Sequence, residues 1–160
     1  MSPIPARTAP ARFGPIHFNL GNATGYLAAV AARAFAGALD HELAPVGISP
    51  GQFPLLLLLA ETDGRSPGEL AKLAHLSEPT VIRTLDRMER DGLVHRVRSQ
   101  TDRRQVRVLL TEKGCNATEP AMIAGFSVGA QALHGFTATE RIALNALLRR
   151  SIVNLGVEIS

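Results

Sequence analysis

The sequence predicts a mainly α-helical fold that carries one small β-hairpin. Alanine and leucine dominate the 160-residue chain, which is 46% hydrophobic and contains six Phe, one Tyr and no Trp. This composition is typical of packed helices. Several segments begin with helix-capping sequences and continue with apolar residues at helical spacing. Two short segments, 93–97 and 105–109, instead alternate polar and apolar residues as strands do.

The N-terminal part is predicted to contain an arm and one long helix. Residues 1–15 include four prolines and are expected to form a flexible arm. From about residue 16 to 44 the chain is alanine-rich with helical spacing, and Pro45 and Gly47 end the helix. The arm lacks the apolar run of a secretory signal, and no apolar run approaches the roughly 20 residues that span a bilayer. We therefore expect a soluble, cytoplasmic protein.

Three capping sequences place three further helices. In each, a Ser or Thr precedes a Glu or Gln by three residues, so that side chains and backbone can exchange hydrogen bonds. The pairs are Ser49 with Gln52, Ser66 with Glu69, and Thr137 with Glu140. They predict helices near 50–61, 66–74 and 137–156.

A fourth helix and the hairpin follow the second of these capping sequences. Ser77 is a candidate N-cap, and Asp91-Gly92 ends the helix near residue 90. One face of this helix is apolar, with Val81, Leu85 and Met88 at helical spacing. The two alternating segments and the polar loop 98–104 between them predict a hairpin. Thr111-Glu112 then caps a helix that extends to about residue 132.

Helices 66–74 and 77–90 are predicted to form a helix-turn-helix with the hairpin as its wing, because their connection is too short to let them separate. The outer face of the second helix places short polar residues before arginines, a pattern suited to a major groove. A tip arginine of the hairpin suits the minor groove, and a neighbouring aspartate can hold one guanidinium in place. The predicted DNA-contacting residues are Ser66, Ser77, Glu78, Pro79, Thr80, Arg83, Thr84 and Arg87, followed in the wing by Arg98, Asp102, Arg103 and Arg104.

The charge distribution agrees with a polyanionic partner. Between Arg83 and Arg107 lie eight arginines and four acidic residues, whereas the rest of the chain holds nine basic and ten acidic residues. The positive excess is thus confined to 25 residues. Arginine favours bidentate contacts with phosphates and base edges. A solvated charged face is the alternative interpretation of this cluster taken alone.

Several segments resemble the MarR family of bacterial regulators. The matching runs are Leu43–Phe53, Leu76–Val81, Asp86–Glu89, Gly92–Val94, Asp102–Arg104 and Leu110–Gly114. The resemblance covers about residues 16–155. It implies that Asp102 and Arg104 form the family's Asp-x-Arg wing motif and that the terminal helices form a dimer. It also implies a mostly repressive regulator that is often released by a small phenolic or aromatic acid.

The last predicted helix supports the expectation of a homodimer, since it carries more apolar surface than one small domain covers from within. Its apolar residues are Ile142, Leu144, Leu147, Leu148, Ile152, Val153, Leu155 and Val157. We expect residues 16–48 and 112–160 to form the dimerisation region and residues 49–111 the DNA-binding domain. Two-fold symmetry would place two recognition helices about 34–36 Å apart, so the predicted site is an inverted repeat.

Candidate ligand-binding residues are few. Phe13, His17 and Phe18 cluster near the start of the first long helix, and Phe53 borders an apolar run, so these four side chains are candidates for an effector pocket. Packing of the arm and of the core is the simpler interpretation. The five histidines show no metal-binding spacing, and we expect neither a metal site nor a cofactor.

The same residues allow three alternatives to a DNA-binding repressor. Cys115, the only cysteine, lies in the first turn of a predicted helix, which leaves open a redox-responsive regulator. A winged helix can also serve as a protein-interaction module without DNA. An enzyme is disfavoured, because the sequence contains no nucleophile elbow and no glycine-rich phosphate loop.

Overall fold

The computed structural model describes residues 20–98 and 106–158. Its helices are α1 (Thr24–Leu43), α2 (Phe53–Glu61), α3 (Pro67–Leu73), α4 (Glu78–Arg90), α5 (Glu112–Ala132) and α6 (Ala138–Asn154). Its strands are β1 (Val94–Arg98) and β2 (Val106–Leu110), and two short 3-10 turns occupy Leu20–Asn22 and Ala44–Val46. The mainly helical fold with one antiparallel hairpin confirms the predicted fold class.

The described part of the chain divides within α1, between Ala34 and Phe35, into two compact units. The helix begins at Thr24, later than the predicted residue 16, because Gly21 and Asn22 have low helix propensity and lie in a 3-10 turn. In the second unit the C-terminal end of α1 contributes the buried Leu43 to the core. The assignment of dimerisation and DNA-binding roles to separate parts of the chain stays a prediction.

Helix α2 begins at Phe53, three residues after the predicted start, because residues 50–52 form a turn in which Gln52 N donates to Ser49 O at 2.9 Å and the capping box is only half formed. Gln52 Oε1 accepts hydrogen bonds from Ser49 N at 2.8 Å and from Ser49 Oγ at 3.1 Å. The Ser49 hydroxyl therefore donates to Gln52 and does not cap a backbone amide. The other two predicted capping boxes, at Ser66 and Thr137, are complete.

The core fixes the helix-turn-helix to α2. Its largest fully buried side chains are Leu43, Leu55, Leu56, Leu59, Leu70, Val81, Leu85, Met88, Leu93, Val94 and Val108. Each such side chain contributes about 1.5–3 kcal/mol relative to its exposed state. Because α3 and α4 both insert leucines into this core, their relative orientation is set by packing as well as by the short turn between them.

The hairpin pairs Val94 with Leu110 and Arg98 with Val106. A third segment joins it, since Gly64 N donates to Val108 O and Val108 N donates to Arg65 O, both at 3.0 Å. The wing is thereby attached to the chain that leads into α3. This attachment fixes the base of the hairpin beside the helix-turn-helix.

Helices α5 and α6 expose large apolar side chains. One face of α5 is buried at Ala117, Ala121, Ala124 and Val128, whereas Met122, Ile123 and Phe126 are exposed. Helix α6 has no buried residue. Within residues 20–98 and 106–158, no helix is both long enough and apolar enough to cross a membrane.

Candidate nucleic-acid interface

Helix α3 begins with a complete capping box. Glu69 N donates to Ser66 Oγ at 3.2 Å, and Ser66 N donates to Glu69 Oε2 at 2.6 Å. The backbone and hydroxyl hydrogen bonds from Ser66 lower the pKa of the Glu69 carboxyl, and the positive charges of Arg107 and Arg65 lower it further. Ser66, predicted as a DNA contact, is therefore also the residue that fixes the start of this helix.

Helix α4 begins with a second serine cap. Ser77 Oγ accepts from Thr80 N at 3.4 Å and lies 2.7 Å from Thr80 Oγ1, so both hydroxyls already have a partner. Glu78 and Pro79 occupy the exposed first turn. Ser66 and Glu78 line one surface groove with Val106 and Arg107 at the start of β2. The structure thus brings the starts of α3 and α4 together with the hairpin.

Further along α4 the predicted contacts separate into exposed and buried residues. Arg83 and Arg87 lie one turn apart and are both exposed. Thr84 is only 2% exposed, so its predicted place on the outer face is wrong. Its hydroxyl donates to Thr80 O at 3.0 Å and accepts from Arg87 Nη2 at 3.3 Å. Thr84 therefore orients Arg87 from beneath and does not itself face outward.

The wing is described only in part. Arg98 is exposed at the end of β1. The predicted tip contacts Asp102, Arg103 and Arg104 lie outside the described residues.

Ion pairs within the protein reduce the positive surface that the sequence indicated. Arg96 Nη1 lies 2.6 Å from Asp86 Oδ1 and 3.2 Å from Glu89 Oε2. Arg107 Nη1 lies 3.0 Å from Glu69 Oε2, and Arg90 Nε lies 3.7 Å from Asp91 Oδ1. Among the described residues of this stretch, the arginines without a carboxylate partner are Arg83, Arg87 and Arg98.

A buried amide adds a contact that the sequence did not predict. Gln52 is 3% exposed, and its Nε2 donates to Asp91 Oδ2 at 2.8 Å, which joins the start of α2 to the end of α4. Lys113 Nζ donates to Asp91 O at 2.7 Å, so the start of α5 also contacts Asp91 at the end of α4. Sequence spacing carries no signal for such a contact, because Gln52 and Asp91 are 39 residues apart.

The predicted effector residues are mostly outside the described chain. Three of them, Phe13, His17 and Phe18, lie outside the described residues. The fourth, Phe53, is half-buried. A Cβ on Gly125 would lie 2.6 Å from Phe53 Cζ, so the ring packs closely against α5 at that glycine. Cys115 is exposed. No cluster of three or more His, Cys, Asp or Glu suited to a metal ion occurs among the described residues.

Comparison with known proteins agrees with this geometry. A family model described as MarR family matches residues 46–105. The HTH-type transcriptional repressor YetL of Bacillus subtilis (strain 168) is 31% identical over 105 residues, which cover 64% of this chain and 63% of that repressor. The chain therefore matches less than two thirds of this curated relative's length.

Solved structures extend the similarity over most of the fold. A probable transcriptional regulator from Pseudomonas aeruginosa is 26% identical with a TM-score of 0.78, over 83% of this chain and 99% of that one. The transcriptional repressor CouR, solved bound to a 23-mer DNA duplex, is 31% identical with a TM-score of 0.74, over 81% of this chain and 92% of CouR. The resemblance predicted from the sequence is thus confirmed. With its helix-turn-helix, its hairpin and these relatives, the chain belongs to the MarR family, a family of transcriptional regulators and not of enzymes.

Proposed function

We propose that this protein is a homodimeric transcription repressor that binds an inverted-repeat DNA operator. The observation that carries the proposal is the exposed face of α4. Arg83 and Arg87 lie one turn apart on it and have no carboxylate partner among the described residues, while Val81, Leu85 and Met88 fix the opposite face in the core. A helix that exposes guanidinium groups not neutralised by a carboxylate suits the major groove and the phosphates that border it.

The wing is proposed to supply the second contact. Arg98 is exposed at the end of β1, and Asp102, Arg103 and Arg104 follow it within six residues in the sequence. Arginine binds favourably in the narrow, electronegative minor groove. Because Gly64 and Arg65 attach β2 to the segment before α3, the hairpin base and the helix-turn-helix would approach DNA as one body.

The dimer is proposed from the apolar surface of the terminal helices. Phe126 on α5 is 72% exposed and Ile142 on α6 is 71% exposed. Large contiguous apolar surfaces usually mark an interface. A second copy of the chain is the natural cover, since the DNA duplex itself has two-fold symmetry and paired recognition helices read inverted half-sites.

The relatives support the repressive role. YetL is named a transcriptional repressor, and CouR is a repressor solved with a DNA duplex. For this chain we propose release from DNA by a small aromatic or lipophilic anion, which follows from the family resemblance. Release by oxidation of the exposed Cys115 is the alternative. A Cys115→Ser variant separates the two, because a ligand-released repressor keeps both DNA binding and release.

A fluorescence-anisotropy titration with the DNA upstream of its own gene tests the function. We expect a complex that weakens steeply as salt is raised, because binding displaces counterions from phosphates. A shuffled duplex of the same length is the control and should bind more weakly. If no complex forms even at low salt, the protein-interaction alternative is favoured and the proposal fails.

A further inference from the structure

Arg96 joins the wing to the recognition helix through both its side chain and its backbone. Its Nη1 contacts Asp86 Oδ1 at 2.6 Å and Glu89 Oε2 at 3.2 Å, and its Nη2 donates to Ile82 O at 3.2 Å. Its backbone N donates to Glu89 Oε1 at 3.1 Å. The three partners lie at positions i, i+4 and i+7 of α4, so they share one helical face. One residue of β1 thus holds nearly two turns of the helix.

The charge of Arg96 is satisfied within the protein. Two carboxylates face one guanidinium, and the arginine side chain is 25% exposed, compared with 55% for Asp86. The three side chains together carry a net negative charge, which a DNA phosphate would repel. This face of α4 also differs from the face that exposes Arg83 and Arg87. Arg96 is therefore unsuited to contact DNA, although it lies within the arginine-rich stretch.

We propose that Arg96 is a positioning residue that sets the angle between the wing and α4, so that both reach adjacent grooves of one duplex. This inference rests on the proposed DNA-binding function. The guanidinium makes two ion pairs and one hydrogen bond in a planar fork, a geometry that fixes direction as well as distance. The hairpin base is attached on its other strand through Val108 and Arg65, so Arg96 fixes the strand that this attachment leaves free.

The sign of a charge change provides the test. The variant Asp86→Asn/Glu89→Gln loses two negative charges, and this change alone would tighten DNA binding by electrostatics. Disruption of the Arg96 ion pairs predicts the opposite result, a complex about tenfold weaker. The control variant Glu112→Gln/Glu119→Gln makes the same charge change at two exposed carboxylates whose side chains have no partner among the described residues. We expect the control to bind as tightly as the unmodified protein, or more tightly.

The outcomes separate the positioning role from the function itself. If the unmodified protein binds DNA and the Asp86→Asn/Glu89→Gln variant binds at least as tightly as the control, the role of Arg96 is refuted. If the unmodified protein does not bind DNA, the proposed function fails instead.

The positioning role is then tested by hydrogen exchange of the free protein. Amides of β1 should exchange faster in the Asp86→Asn/Glu89→Gln variant while those of α5 are unchanged, and equal rates in β1 would refute it.

Discussion

At the scale of single residues, Gly114 shows how closely the wing packs against α5. A Cβ at this position would overlap the carbonyl oxygen of Leu93 and would lie 3.1 Å from Leu110 Cδ2. Gly114 N also donates to Thr111 Oγ1 at 3.0 Å, the cap of the helix. The backbones at Gly114 and Leu93 lie too close together for a side chain at residue 114. Moving either backbone would displace the Thr111 cap or the start of β1.

We expect Gly114→Ala to lower the free energy of unfolding by about 2–4 kcal/mol, because backbone must move to relieve the overlap. Gly129→Ala on the same helix is the matched control, since a Cβ there meets nothing within 4 Å. The control should be neutral or stabilising by up to about 1 kcal/mol through helix propensity. Urea denaturation measures both, and equal stability of the two variants would contradict the close packing.

The capping carboxylate Glu69 predicts a specific pH dependence. Its hydrogen bonds from Ser66 lower its pKa in the folded state. The carboxylate therefore contributes stability above the unfolded pKa, near 4.5, and this contribution is lost as the pH falls through the lower folded pKa. We expect Glu69→Gln to lower the Tm at pH 7 and to lose this effect as the pH falls below the folded pKa. A Tm difference that persisted unchanged at low pH would show that the charge is not involved.

At the scale of elements, Gln52 connects α2 to the end of α4 from a buried position. Its amide has partners on both sides, Ser49 and Asp91. We expect Gln52→Ala to destabilise the protein by about 1–3 kcal/mol, because it leaves the Ser49 amide and the Asp91 carboxylate without their partner. Thermal unfolding of this variant beside Gln131→Ala, an exposed glutamine on α5, measures the effect. Equal Tm values would show that water replaces the buried amide at no cost.

Much of the element order was predictable because its signals are local. The caps at Ser66, Ser77 and Thr137 each depend on residues within one turn, and all three caps are present. Thr84 was misplaced although its burial follows from spacing, since it shares the i, i+3, i+4 and i+7 stripe with the buried residues of α4. The buried face of α4 therefore includes a polar residue as well as the apolar ones.

The charged partners were not predictable, for a different reason. The ion pairs of Arg96 and Arg107 depend on the angles at which the hairpin meets α4 and α3, and these angles are set by tertiary packing. Counting charges along the sequence therefore overestimated the surface available to a polyanion. The site that remains among the described residues is smaller and centred on Arg83, Arg87 and Arg98.

At the scale of the whole molecule, the exposed apolar residues of α6 make the dimer testable. We expect the variant Ile142→Glu to shift the protein from dimer toward monomer, because it would bury a carboxylate in the interface. Asn145→Glu introduces the same charge at an exposed polar position of α6 and is the comparison, expected to disturb association less. Light scattering coupled to size exclusion measures the mass. A monomeric unmodified protein at micromolar concentration would refute the dimer.

Helix α4 is proposed to present Arg83 and Arg87, which have no carboxylate partner among the described residues, to DNA. The most direct test is the slope of the logarithm of the DNA-binding constant against the logarithm of salt concentration, measured by anisotropy for the unmodified protein, Arg83→Ala and Arg33→Ala. Arg33 is an exposed arginine of α1, outside the helix-turn-helix. We expect Arg83→Ala to weaken binding. If Arg83 binds a phosphate, the variant should also reduce the slope by about 0.9 in each subunit, and if it binds a base edge, the variant should relax sequence preference. Arg33→Ala should leave the DNA affinity, the salt slope and the sequence preference unchanged. If Arg83→Ala also matched the unmodified protein in all three, the proposed role of α4 would be contradicted.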